Sequence, residues 1–313
     1  MAQISARVRC AAAAAAPESN IHHARPMTAS TFITGWNRFF FRKCPPHVLA
    51  LFRIAFGGFL LFHWGIKLPS VPMLFSEEGI VLPLFDLPLL APPSTPVAWI
   101  LFLIFLGSLA LLTIGIFPRI AAGVALLFSL YYFLLSFHLF GTSFDHLFLF
   151  ILLVLTFSPS DRTLSLAMLL KQGSLFAAEP ITVFPQRLLA LQITFTYLGV
   201  GWQKLFLPGW QSGRILLLGF MGRWATQLGF AVARLNLPPE FYDAMVFLTK
   251  TFEVLIPFGL WIKRFHIRWW FFAGGALFHS SIALLLGIWW FLVLIPAYIL
   301  FFEPEGVEKW FKR

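Results

Sequence analysis

The residues best suited to chemistry lie in one stretch, 186–214, which reads QRLLALQITFTYLGVGWQKLFLPGWQSGR. It is almost wholly apolar over 188–206, yet Lys204 stands near its far end, just before Pro208, Gly209 and Trp210. In a helix Tyr197, Gly201 and Lys204 fall at i, i+4 and i+7, so a phenol, a gap in the helix surface and an amine share one face. Apolar surroundings disfavour an ammonium against the neutral amine, and a neutral amine can accept a proton. Position alone leaves a simpler reading open, a lysine that snorkels from the helix end to the lipid headgroups.

Other ionisable residues stand inside apolar runs: Arg53, His146, Lys250, Glu253 and His279. With about 1.5 Å of rise per residue from the basic end of each run, Lys204 lies about 27 Å deep, Lys250 about 20 Å, and Glu253 and His279 about 15 and 16 Å. His146 opens its run from the opposite side. Singly each has a bland explanation: an i, i+3 ion pair between Lys250 and Glu253, a core histidine bonded to a carbonyl at His279. Together they point to a polar site in the outer half of a bundle, because ionisable groups in a membrane are costly and mark function. Arg53 lies too deep to snorkel with ease and calls for an anionic or carbonyl partner.

The elements that must position these groups follow from composition. The 313 residues are 59% hydrophobic, 18% aromatic and 12% charged, with a mean hydropathy of +0.83. Such a chain is too apolar for a water-soluble fold and reads as an all-α, polytopic transmembrane bundle. Its net charge of +10 sits mostly at the ends of apolar runs, which is the signature of membrane orientation and not of a nucleic-acid surface. Eight spans are expected, near 48–68, 97–117, 120–140, 146–157, 186–206, 243–261, 269–286 and 288–302. An interfacial helix pair with Arg214, Arg223 and Arg234 is expected between the fifth and sixth. The basic clusters around 38–43, 119, 162–187, 263–268 and 309–313 then fall on one side, which puts both termini in the cytoplasm. Residues 1–36 read as a disordered tail with Met27 as an alternative start, 37–303 as the membrane domain and 304–313 as a charged tail. Cys10 and Cys44 suggest neither a disulfide framework nor a redox pair. His22 and His23 have no further ligand nearby, so no metal is expected. No nucleotide-binding loop, HExxH or CxxC pair occurs.

Several segments together resemble the vitamin K-dependent γ-carboxylase-like, or horizontally transferred transmembrane (HTTM), proteins. They are LALFRIAFG from Leu49, LFSEEGIVLP from Leu74, DHLFLFILLVLTFSPSDRTLSL from Asp145, YLGVGWQKLFLPGWQSG from Tyr197, FEVLIP from Phe252 and LFHSSIALLLGIWWF from Leu277. The Tyr-x-x-x-Gly-x-x-Lys-Leu run followed by Trp and Gly is the most specific. The resemblance implies a membrane enzyme in which Lys204 deprotonates reduced vitamin K or menaquinol, with His279 and His146 as hydrogen-bonding helpers. It departs at Gln203, where the family carboxylase carries a second lysine. Because the chain stops at Arg313, without a large lumenal domain, processive carboxylation of proteins is not expected.

Two readings stay open at this level. One is a quinol-oxygenating enzyme with Lys204, His279 and His146 as catalytic residues, and with Tyr197, Trp210, Lys250, Glu253 and Arg53 as substrate-binding residues. The other is a non-catalytic module that binds or transports lipid or quinone, or a subunit of a larger membrane complex. Expected partners are membrane lipids and a lipid-soluble quinol, with no nucleic acid, and the expected location is a bacterial inner membrane.

Overall fold

A computed structural model describes residues 29–139 and 142–312. Cys10, His22, His23 and Met27 lie outside them, so the expectations for those residues are not addressed by it. The chain opens with α1 (Ala29–Phe40), β1 (Lys43–Cys44) and α2 (His47–Gly65), and a short α3 (Val71–Phe75) lies in the proline-rich loop. Then come α4 (Thr95–Ile114), α5 (Pro118–Leu135), α6 (Ser143–Thr156) and α7 (Leu166–Gln172), with β2 (Ile181–Thr182) leading into α8 (Phe184–Phe206). The short α9 (Arg214–Met221) and α10 (Gln227–Arg234) stand where the interfacial pair is expected, before the long α11 (Pro239–Trp261) and α12 (Phe265–Leu286). The last apolar segment is a 3-10 turn over Trp289–Val293, α13 (Leu294–Ala297) and a second 3-10 turn over Tyr298–Phe301, followed by α14 (Pro304–Glu308).

The architecture is all-α, and α2, α4, α5, α11 and α12 are long and apolar enough to cross a membrane. Each matches an expected span. Three expected spans depart from that standard for physical reasons. α6 has 14 residues, or about 21 Å of rise. α8 has 23 residues, but Gln186, Arg187, Gln192, Gln203 and Lys204 lower its hydropathy. The last segment contains Pro296, which supplies no amide donor, and most of it winds as 3-10 helix, which rises about 2.0 Å per residue and so reaches further. α1 begins within the expected tail: Phe32, Trp36 and Phe40 recur at helical spacing, with neighbouring ring centroids 6.2 and 4.5 Å apart.

Two groups of helices make up the bundle. In one, α2, α4, α5 and α6 pack in sequence. Phe52, Phe56, Phe75, Phe102, Phe105 and Tyr132 fill its core. In the other, α8, α11 and α12 pack together, and the last apolar segment lies against α12, α8 and α2, joining the groups. Lipid tails are as apolar as leucine, so close packing and internal polar contacts must hold such a bundle together.

One set of those polar contacts lies at the end where β1 and β2 meet. β1 pairs antiparallel with β2, Lys43 opposite Thr182 and Cys44 opposite Ile181, which sets the first turns of α2 and α8 side by side. The Gln186 amide donates to the Leu300 and Phe302 carbonyls, both at 2.8 Å. Arg42 pairs with Glu303 at 3.0 Å and with Glu305, and Arg187 reaches Glu303 at 3.4 Å.

Arg53 is fully buried one turn further in, and its Nη2 donates to the Leu164 carbonyl at 2.6 Å. The turn between α4 and α5 passes directly over it. Gly115 there has a φ of 76°, and a Cβ would overlap the Arg53 guanidinium. Gly115→Ala therefore combines a left-handed backbone penalty with loss of a buried hydrogen bond, a cost of about 2–4 kcal/mol. Gly107→Ala, on an open face of α4 with nothing near its Cβ, should be neutral or stabilising by up to about 1 kcal/mol. Thermal unfolding in detergent should rank the proteins Gly107→Ala, wild type, Gly115→Ala in falling order.

Candidate functional site

α8 carries the candidate face and ends where the sequence requires. Pro208 cannot continue the helix. The Gln211 side chain folds back to donate to the last free carbonyls, of Leu205 at 2.9 Å and Leu207 at 3.1 Å. Gly201 lies close against α11, and a Cβ there would sit 3.1 Å from the Val254 side chain and 3.3 Å from the Glu253 backbone. What sequence presents as a gap is thus filled by the neighbouring helix. One turn beyond it, the approach brings Lys204 within reach of Glu253.

Lys204 Nζ donates to Glu253 Oε1 at 2.6 Å and Oε2 at 2.7 Å. Their side chains are 13% and 4% exposed, so the pair is nearly closed off. The Trp210 ring lies against that amine, its centroid 4.3 Å from Nζ. Lys250, one turn from Glu253 on α11, does not pair with it. Its Nζ donates to the Trp210 carbonyl at 3.0 Å and pins the loop that follows α8. The i, i+3 pairing of Lys250 with Glu253 considered from sequence is therefore replaced by a pairing across helices, with Lys250 one shell further out.

Tyr197, two turns below Lys204, begins a second buried group. Its hydroxyl lies 2.5 Å from His279 Nε2 and 2.7 Å from the Tyr298 hydroxyl. His279 is fully buried, and among the described residues its Nδ1 has no hydrogen-bond partner. Tyr197 thus ties α8 to α12 and to the last 3-10 turn. Tyr298 did not emerge from sequence reasoning. The available signal was a lone hydroxyl in the apolar run LIPAYILFF, since a buried tyrosine normally finds a polar partner.

The remaining candidates lie apart. Arg53 stands in the second turn of α2, about 9 Å from its start, whereas Lys204 is about 30 Å from the start of α8. Because β1 and β2 align those starts, the two residues belong to opposite ends of the bundle. Arg53 finds the carbonyl partner that its depth demands, but no contact with the Lys204 group. His146 is exposed on the first turns of α6, with Nδ1 3.0 Å from the Thr142 carbonyl and its ring against Phe133. It touches neither Lys204 nor His279.

Around α8 stand a buried amine–carboxylate pair with an aromatic cover and, two turns away, an imidazole–phenol–phenol group centred on Tyr197. The amine–carboxylate pair can hold a proton between two bases.

Residues 41–306 match the HTTM domain. No curated protein matches the chain, and no solved structure does. Because the domain takes in all five long apolar helices and both buried polar groups, the chain is a multi-pass membrane protein that belongs to the HTTM-domain family.

Proposed function

We propose that this protein is a membrane enzyme that deprotonates a lipid-soluble quinol at Lys204. The observation that carries the reading is the bidentate contact of Lys204 with the almost fully buried Glu253. In low dielectric an ion pair bears the desolvation cost of two charges, and the alternative with amine and carboxylic acid avoids it. Glu253 then holds the proton that would otherwise occupy the lysine lone pair. The substrate hydroxyl gives its proton to Lys204 Nζ, which ends as ammonium beside a protonated Glu253.

The residues fit a reduced naphthoquinone such as menaquinol or vitamin K hydroquinone. Trp210 offers a flat apolar wall beside the amine, and the unpartnered Nδ1 of His279 is a spare polar atom deeper in the protein. When bound, the quinol supplies an acidic hydroxyl and, with oxygen, the oxidising chemistry. Tyr197 holds the His279 ring through Nε2 and is itself held by the Tyr298 hydroxyl, which fixes the ring's orientation. Lys250 holds the Trp210 loop in place. His146 has an outer role at most, as a surface group near the mouth of the bundle.

A second reading draws on the same contact: a buried bidentate pair also fastens α8 to α11, as a non-catalytic lipid- or quinone-binding module would require. Arginine at position 204 separates the two, because it can carry a positive charge beside Glu253 but cannot serve as a base.

The proposed topology has eight spans, with α6, α8 and the last apolar segment added to the five long helices. Both termini lie in the cytoplasm of a bacterial inner membrane. The convergence of Arg42, Arg187 and Lys263 on Glu303 at one end of the bundle supports that orientation.

Two outcomes are expected. Purified protein incubated with reduced menaquinone and oxygen should form the quinone epoxide, whereas Lys204→Ala and Lys204→Arg should lose at least about 100-fold, the usual contribution of a general base. If all three are folded, retain quinone and form no epoxide, the binding reading stands instead. For topology, a green fluorescent protein fused after Arg313 should fluoresce and alkaline phosphatase fused there should be inactive, and the reverse result would refute the orientation.

A further inference from the structure

Of the three arginines between α8 and α11, Arg214 lines a cavity of about 440 Å³. The space lies between the start of α9, the residues that lead into it and the first turns of α11. Arg214 and Asp243 are the charged residues of its lining, and Leu217, Leu237 and Pro239 make much of the rest apolar. Neither Lys204 nor Glu253 lines it, so it is distinct from the site assigned to quinol chemistry. Asp243 stands about 27 Å along α11 from Trp261, and Trp261 packs on Phe301 beside the Glu303 clasp. That distance is close to the thickness of a hydrocarbon core. The cavity therefore opens at headgroup level, at the end of the bundle away from the clasp.

The wall that carries Asp243 is firmly held. Gly213 lies so close against α11 that a Cβ would come within 2.3 Å of the Tyr242 backbone. Its amide donates to Asp243 Oδ1 at 2.5 Å, which fixes the carboxylate. Among the described residues Oδ2 accepts no hydrogen bond, and Arg214 has neither a hydrogen bond nor an ion pair. A cation and an anion thus share one cavity without meeting. An anion alone would be drawn to Arg214 and repelled by Asp243, and a cation alone the reverse. A ligand that carries both charges satisfies both residues.

We propose that this cavity binds the zwitterionic headgroup of a phosphoethanolamine lipid, with the Arg214 guanidinium on the phosphate and the Asp243 carboxylate on the ammonium. A guanidinium presents a planar fork that matches phosphate oxygens. A primary ammonium brings three N–H donors to the carboxylate, whereas a quaternary choline brings none. The apolar lining favours a headgroup attached to a hydrocarbon body over the same zwitterion free in water. The volume corresponds to about fifteen water molecules, enough for the headgroup and the glycerol, with the chains left to run down the bundle. With the orientation proposed above, the lipid is one of the outer leaflet.

The test depends neither on that orientation nor on Lys204. The purified full chain in nonionic micelles is titrated with dioleoyl phosphatidylethanolamine, phosphatidylcholine or phosphatidylglycerol, and bound lipid is counted by native mass spectrometry. The ethanolamine lipid should bind saturably and about tenfold more tightly than the other two, a comparison that needs no variant to fold. Arg214→Gln should weaken it about tenfold, the loss of one charge-assisted contact. Asp243→Asn keeps an oxygen for the Gly213 amide but loses the charge, and should let the glycerol lipid bind as well as the ethanolamine lipid. Equal affinity of the three lipids for the wild type, or an unchanged preference in folded Arg214→Gln or Asp243→Asn, would overturn the proposal. Displacement of the lipid by an equal concentration of free phosphoethanolamine would overturn it too, in favour of a site for a soluble zwitterion.

Discussion

An amine and a carboxylate taken out of water must find each other, and in this protein Lys204 and Glu253 do so across two helices, with both oxygens within 2.7 Å of the nitrogen. Much of the surrounding design follows from that contact. It needs α8 and α11 to touch at one level, hence a residue without a side chain at Gly201. It needs α8 to stop soon afterwards so that a cover can fold over the amine, hence Pro208, the Gln211 cap and Trp210. It needs that cover to stay in place, and Lys250 holds it from α11. Removing one partner would leave the other buried without compensation, which is far costlier than replacing both.

The same logic explains why α8 is less apolar than its neighbours. Its first turn is spent on Gln186 and Arg187, which clasp the end of the last apolar segment. Its middle contributes Tyr197 to the group with His279 and Tyr298, and its end contributes Lys204. A helix with a polar anchor at three levels cannot be a generic lipid-facing span, and its neighbours supply the hydropathy instead. The last segment complements it. By winding largely as 3-10 helix it reaches from the Trp289 turn to the Glu303 clasp in few residues, and it sets Tyr298 against Tyr197 on the way.

Much of this was legible in the chain itself. Long apolar runs marked α2, α4, α5, α11 and α12, and the arginine-bearing stretch after Trp210 marked the pair α9 and α10. The i, i+4, i+7 spacing placed Tyr197, Gly201 and Lys204 on one face, and that face is the buried one. What escaped depended on contacts between distant segments. Local spacing favoured Lys250 as the partner of Glu253, but spacing along one helix carries no information on what the next helix brings. Depth alone put Arg53 and His146 among the candidates, and the pairing of β1 with β2 together with the capping of α6 sets them elsewhere. His63, in the last turn of α2, looks like part of an ordinary basic flank until the Trp289 indole is folded against it. Pro296 was the visible warning that the last run would not be a plain helix.

The central claim is that Lys204 and Glu253 are energetically one unit. A double-mutant cycle with Lys204→Met, Glu253→Leu and the combined variant, followed by thermal unfolding in detergent, measures that coupling. Each single variant should lose about 2–5 kcal/mol, and the combined variant should be more stable than either, with a coupling of at least about 1 kcal/mol. Additive losses in the combined variant would mean that the two residues act independently, and would contradict the account.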